Sequence, residues 1–278
     1  MKKFELTSEF ITNIFGTKLF RIKALCEFGN VKAGELGGFL EKEENLSNDG
    51  DAWVYGNASV SGDARVSGDA WVYGNARVSG NASVSGDARV SGNARVYGDA
   101  EVSGDASVSG NARVYGDAWV YGNASVSGDA RVSGNARVYG DAEVSGNARV
   151  SGNASVSGNA RVYGDAEVSG DASVSGNARV YGDAEVSGNA RVSGNAEVSG
   201  DAWVYGNTDY ATAKGFGSEY RNTTFFRGKD GDIKVVCGCF YGNLEEFRTK
   251  VKETHKDTKK AKEYLMLADL MEYRFSEE

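Results

Sequence analysis

Valine recurs every six residues from Val54 to Val204 without a break, and alanine stands two residues before each valine, from Ala52 to Ala202. The unit is [D/N]-A-x-V-[S/Y]-G, running from Asp51 to Gly206 as 26 units in 156 residues. A fixed short period is the signature of a repeat architecture and constrains the fold more than any other feature here. Side chains alternate faces along a strand, so Ala and Val of A-x-V point one way and x points the other. Valine is β-branched and fills an interior; alanine fits a tight corner. The following [S/Y]-G-[D/N] turns the chain, because glycine reaches positive φ freely and Asn and Asp tolerate it better than other residues. Each hexapeptide is therefore a short strand plus a corner, and three make one triangular coil of a parallel β-helix of about 18 residues.

The tyrosines carry an internal test of that coil. They follow the valine in nine units, and eight of them fall into pairs 18 apart: Tyr55/Tyr73, Tyr97/Tyr115, Tyr121/Tyr139 and Tyr163/Tyr181. Stacked coils place each pair on one side at a spacing of about 4.8 Å, and the 26 units then build a rod roughly 42 Å long. Taking units modulo three, one face carries Arg77, Arg95, Arg113, Arg131 and Arg149, then Glu167, Glu185 and Trp203. A second carries Trp53, Trp71, Arg161 and Arg179; the third carries Trp119, Arg137 and several serines. The five-arginine column is a candidate binding surface for phosphates, nucleic acid or an acidic partner. The plainer reading is that arginine stems cover neighbouring coils and pair with corner aspartates. Trp119, Tyr121 and Tyr139 lie mid-rod and are candidates for an oligomer interface, since exposed apolar patches mark contacts. Trp53, Trp71 and Trp203 lie near the ends, where flanking segments are expected to cover them.

The remaining composition narrows the class. The chain has 278 residues, 38 glycines, no proline and a formal charge of −8. Glycine-rich sequence without proline or a G-x-y period is neither collagen nor linker. No apolar run reaches the ~20 residues of a membrane span. The opening Met1-Lys2-Lys3-Phe4-Glu5 lacks a secretory pattern, so a cytoplasmic location is expected. Cys26, Cys237 and Cys239 are too few for a disulfide framework.

The ends read differently from the rod. Residues 1–50 are expected to form a cap: a β-hairpin (10–15, a turn at Gly16-Thr17, then 18–22), an irregular first coil using Val31, Leu36 and Leu46, and a solvated loop over 41–45. A solenoid needs such caps to protect its core and edge strands. The β-helix is assigned to 51–208, and 209–278 to a small α/β module. There, 223–227 and 233–237 flank the turn Lys229-Asp230-Gly231-Asp232. Asn243 and Glu246 read as a capping box opening a helix to about His255. A second helix, from about Thr258 to Phe275, has an apolar stripe of Tyr264, Leu265, Leu267, Leu270 and Tyr273.

Two stretches carry a family resemblance. RIKALCEFGNVKAGELGGFLEKEENLSNDGDAWVYGNA, from Arg21, resembles the opening of an uncharacterised bacterial hexapeptide-repeat family labelled putative acetyltransferases. TTFFRGKDGDIKVVCGCFYGNLEEFRTKVKETH, from Thr223, resembles a terminal module of phage and prophage proteins with similar rods. With the repeat between them these cover nearly the whole chain. The resemblance implies an all-β left-handed parallel β-helix, a phage or prophage origin, placement in the host cytoplasm, and a homo-oligomer, with a homotrimer favoured. Hexapeptide acyltransferases use a histidine base at the subunit interface; this rod has no histidine, the single one being His255. Cys237, Cys239 and His255 as a nucleophile set, or as metal ligands, are poorly supported by their spacing. The expected function is therefore a non-enzymatic scaffold or binding protein, without catalytic residue, metal or cofactor. It is expected to engage a bacterial host protein, with antagonism of a host defence system as its role. Nucleic-acid binding along the arginine column and acyl transfer are the alternatives.

Overall fold

The computed structural model describes residues 2–216 and 221–276. Strand β1 (Phe4–Thr12) and β2 (Lys18–Ala24) form an antiparallel hairpin, β2 pairs with β3 (Leu36–Leu40), and β3 starts the rod by pairing in parallel with residues 59–60. Strands β4 (Trp53–Val54) to β29 (Trp203–Val204) are the 26 rungs, one per hexapeptide and most only two residues long. Each pairs in parallel with the strand 18 residues away, as Arg95 with Arg77 and Arg113. The rungs sort into three sheets, the faces of a β-solenoid of about nine turns. Face 1 runs β5-β8-β11 and onward to β29, face 2 from β4 to β28, and face 3 from β6 to β27.

Every repeat Ala and Val is buried, with Val78 the least so at 1% exposed. Burying a valine stabilises by roughly 1.5–3 kcal/mol, and here the gain repeats with each rung. The corners need glycine for two separate reasons. Rung glycines from Gly56 to Gly200 sit at φ between +60° and +75°. They also pack backbone to backbone: a Cβ on Gly116 would lie 3.0 Å from the amide nitrogen of Gly134, one coil on.

Most hydrogen bonds between coils point one way. The N–H of the x residue and of the residue after the valine donates to a carbonyl 17 residues later, as Arg77 to Ala94 at 2.9 Å and Ser61 to Val78 at 3.0 Å, while the valine N–H donates back to the preceding coil, as a parallel ladder requires. The N-terminal end therefore exposes mainly carbonyls and the C-terminal end mainly amides, and the caps answer in kind. Phe39, Glu41 and Ser47 donate their N–H groups to Ala58, Val60 and Val66. The Asn45 side-chain amide donates to the carbonyls of Gly62 (3.0 Å) and Ala64 (2.9 Å). The Lys3 ammonium donates to Gly50 (3.1 Å) and Ala52 (2.9 Å), and burial holds its pKa below the ordinary lysine value. At the other end, side-chain oxygens of Asn207 and Thr224 accept from the N–H groups of Arg191 and Glu197, both at 2.9 Å.

The C-terminal module is an antiparallel sheet ordered β30 (Tyr210–Phe216), β31 (Arg221–Arg227), β32 (Ile233–Cys237) and β33 (Phe240–Asn243), followed by α1 (Leu244–His255) and α2 (Lys259–Phe275). The sheet is a plug with two faces, as strand alternation dictates. Phe226 and Val236 join the core of the rod, whereas Phe225 and Val235 join a second core with the helices. Asn243 and Glu246 form a reciprocal capping box, and Thr258 caps α2.

Several details differ from what the sequence suggests. The hairpin is longer than 10–22, and its tip spans 13–17 because the Asn13 side chain accepts from the N–H groups of Phe15 and Thr17. Within 41–45, residues Glu43–Asn45 form a 3-10 helix, and Asn45 is fully buried by its ladder-capping role. Leu36 is 52% exposed at the start of β3, while Val31 and Leu46 are buried. In α2 the buried face is Ala261, Tyr264, Leu267, Ala268, Met271 and Phe275, which leaves Leu270 and Tyr273 outside. Trp53 is wholly covered by Phe4 and Phe28, but Trp203 stays 49% exposed because the plug seats inside its rung.

The glycine column gives a paired prediction. Gly194 has φ +69°, but a methyl group at this position would meet nothing within 4 Å, unlike one at Gly116. Gly194→Ala should cost about 1–2 kcal/mol, the left-handed penalty alone. Gly116→Ala should cost clearly more, read as a larger drop in thermal midpoint; equal drops would mean that coil contact does not constrain the corner.

Candidate binding surface

The arginine column forms as a continuous ladder. Arg77, Arg95, Arg113, Arg131 and Arg149 are direct register partners on face 1, and Glu167, Glu185 and Trp203 continue the column. Arg149 is paired with Glu167 at 2.5 Å. On face 2, Arg161 pairs with Glu143 and Arg179 with Glu197. Among the described residues Arg77, Arg95, Arg113 and Arg131 make no ion pair, so the ladder is not neutralised by corner aspartates. The corner that precedes it carries no acid through the first coils, Asn75 donating to Asn93, Asn93 to Asn111 and Asn111 to Asp129, whereas the corner that follows holds Asp99 and Asp117. Like charges about 4.8 Å apart repel by up to about 1 kcal/mol per neighbour in water. The column is a standing positive stripe.

The hairpin turns this stripe into a groove. Its tip, Ile14 and Phe15, is 85% and 86% exposed and overhangs Arg77, Arg95 and Arg113. The groove, open to solvent, has a volume of about 1240 Å³. Arg21, at the base of the groove, is held by Glu9 at 2.8 Å and lies over the Phe39 ring. Tyr97 and Tyr115 border the groove, stacked at 4.9 Å with nearly parallel rings, and burial raises the Tyr97 pKa. Tyr121/Tyr139 and Tyr163/Tyr181 stack in the same way at 5.0 Å. Tyr55 does not stack on Tyr73; it packs edge-on against Trp53 and Trp71, the tryptophans of its own rung and of the rung one coil on.

Trp119, Tyr121 and Tyr139 come together. Trp119 on face 3 is 42% exposed and meets Tyr121 edge-on at 6.5 Å, while Arg137 lies 5.4 Å over its ring. The two tyrosines stand on the edge between faces 3 and 2.

That edge carries a feature missed in reading the sequence, although the spacing could have revealed it. Its corner column opens with Asp51, Asp69, Asp87 and Asp105, four acids one coil apart. At other corners an Asn commonly donates from Nδ2 to the Asp or Asn one coil later, as Asn81 to Asp99 at 2.8 Å. An aspartate cannot donate, so this stretch lacks the side-chain ladder.

Of the C-terminal thiols, Cys237 is packed and Cys239 is exposed. The Cys237 sulfur accepts from the Thr223 hydroxyl at 3.2 Å and lies 3.8 Å from the Tyr264 hydroxyl, while the His255 ring stacks on Tyr264. Among the described residues no group of three or more His, Cys, Asp or Glu could hold a metal ion, and no helix is long and apolar enough to cross a membrane.

A rod of 18-residue coils with parallel sheets makes this a repeat β-solenoid protein. The family comparison agrees: the YdcK β-solenoid repeat model matches at 58–74, 70–86, 88–104, 106–122, 130–144 and 142–158, each segment close to one coil. No curated protein matches the chain.

The amide ladder predicts a stabilising substitution. Asp87→Asn should add an Nδ2 donor to Asp105 and remove two like-charge contacts, with Asp69 and with Asp105, a gain of about 0.5–1.5 kcal/mol. The thermal midpoint at low salt should rise; an unchanged or lower midpoint contradicts the reading of the acidic edge as a local cost.

Proposed function

We propose that the protein is a non-catalytic scaffold of phage or prophage type. A left-handed hexapeptide rod gives it length and self-association, a trimer being the favoured assembly, and the C-terminal module engages a bacterial protein target in the host cytoplasm. Antagonism of a host defence system is the role that this combination fits. The observation that carries the reading is the division of labour in the fold. The rod repeats one rung 26 times, and between its capped ends the repeats fill its interior with Ala and Val. The C-terminal module is the least repetitive surface, and it presents an outward apolar stripe. Met266, Leu270 and Tyr273, at helical spacing on α2, are 71%, 56% and 80% exposed. Apolar side chains grouped on one exposed helix face favour a docked partner. A second reading, nucleic-acid binding along Arg77 to Arg149, is favoured by the unpaired guanidinium groups. Acyl transfer has no comparable support, since His255 lies in the C-terminal module, stacked on Tyr264.

Removing residues 209–278 is a poor test, because it strips Thr224 and the Phe226 plug from the rod end. The better test keeps the plug. Met266→Glu, Leu270→Glu and Tyr273→Glu together should abolish capture of a specific protein from bacterial lysate while leaving the thermal midpoint within a few degrees. Capture that survives the triple substitution places the binding element elsewhere.

A further inference from the structure

We infer that the arginine ladder of one copy receives the acidic edge of a second copy, so that rods associate side by side and point the same way. The inference rests on the self-association reading and names its surface. Three observations carry it.

The first is pitch. The ladder repeats at about 4.8 Å. An extended peptide presents same-side residues about 6.6 Å apart, and a nucleic-acid strand in a duplex rises about 3.4 Å per phosphate. Neither stays in phase with four arginines. Another solenoid of this chain does, over any length.

The second is charge order. Ladder and edge residues of one coil are eight residues apart, an axial offset of only about 2 Å. In parallel, unstaggered copies Asp69 therefore meets Arg77, Asp87 meets Arg95, and Asp105 meets Arg113. Further along, Asp141 meets Arg149, and the two glutamates of the column, Glu167 and Glu185, meet Asn159 and Asn177. In this register no acid of the edge faces an acid of the ladder, and Asp87 and Asp105, which lack an Asn donor one coil before them, lie opposite arginines that make no ion pair among the described residues.

The third is shape. Through its first coils the edge is slim, Ser-Gly-Asp at 67–69, 85–87 and 103–105, which suits the groove between the hairpin and the ladder. The edge turns aromatic only beyond it, where Tyr121 and Tyr139 arrive at the level of Arg131 and Arg149 and can take their guanidinium groups over the rings. The edge lies between faces 3 and 2, across the triangular section from face 1. The contact is thus heterologous, and it propagates in a row unless a rotation between neighbours closes a ring.

Sedimentation velocity on the full chain tests this. The wild type should associate at low salt and lose the associated species at about 0.5 M NaCl, where the Debye length falls to a few Å. Arg95→Asp with Arg113→Asp should abolish association at protein concentrations where the wild type associates, and so should Asp87→Arg with Asp105→Arg. All four changes in one chain should restore it. These positions face solvent, and circular dichroism melts will show that each variant is folded. A wild type that associates while both charge-reversed pairs do so equally overturns the ladder–edge contact and leaves self-association standing. A wild type that is monomeric throughout overturns both. A monomer that shifts with added single-stranded DNA, with the shift lost in the arginine variant, assigns the ladder to nucleic acid instead.

Discussion

The predominant direction of the hydrogen bonds between coils is the constraint on which the rest of the structure depends. Because most rung and corner amides donate to the coil that follows, a solenoid of any length ends mainly in bare carbonyls on one side and bare amides on the other. Buried backbone groups left unpaired each cost on the order of 1–3 kcal/mol. The N-terminal cap is accordingly a collection of donors, with the Lys3 ammonium and the Asn45 amide reaching the carbonyls that backbone donors do not cover. The C-terminal module supplies acceptors, Asn207 and Thr224, and sends Phe226 and Val236 into the open core. The non-repetitive ends are chemically matched to the ends they close, and this is why the C-terminal module cannot be treated as a detachable binding domain.

The rod's chemistry is written in six residues, but its addresses are written in eighteen. Residues 80–104 and 122–146 are identical in sequence, yet Arg95 of the first block stands on face 1 and its equivalent Arg137 stands on face 3 beside Trp119. A rung therefore has no meaning until its column is known. The columns are uneven in a way the rungs are not: arginine gathers in the first half of face 1, aspartate in the first half of the opposite edge. A surface of this kind distinguishes partners by phase and pitch more than by any single pocket.

The parts of the fold that were legible in the sequence were those with a period. The valine spacing set the rungs, the paired tyrosines set the 18-residue coil, and counting modulo three placed Arg77 to Arg149 on one face. Asn243, Glu246 and Thr258 marked the helix starts by their side-chain chemistry. Where no period operates, contacts outside the local segment decided the outcome. Asn45 sits in a run of charged residues that reads as solvent-facing, but it is buried because two carbonyls of the first coil need a donor. Strands β30 and β33 have no alternation of their own and are held as partners of β31 and β32. Leu270 and Tyr273 fit an apolar helix stripe, but alanines at 261 and 268 let the helix approach the sheet on the other side. The groove could not be read at all, since it needs the hairpin to fold back over rungs more than sixty residues away.

Amide hydrogen exchange along the whole chain tests the dependence on this directional ladder most directly. Slow exchange is predicted for rung amides throughout the rod, with opening that proceeds coil by coil from the ends. Protection of Arg191 and Glu197 should vanish when Asn207 and Thr224 lose their acceptor oxygens, while mid-rod rungs stay protected. Rapid exchange at mid-rod rungs, or last-coil protection that survives loss of those acceptors, would contradict it.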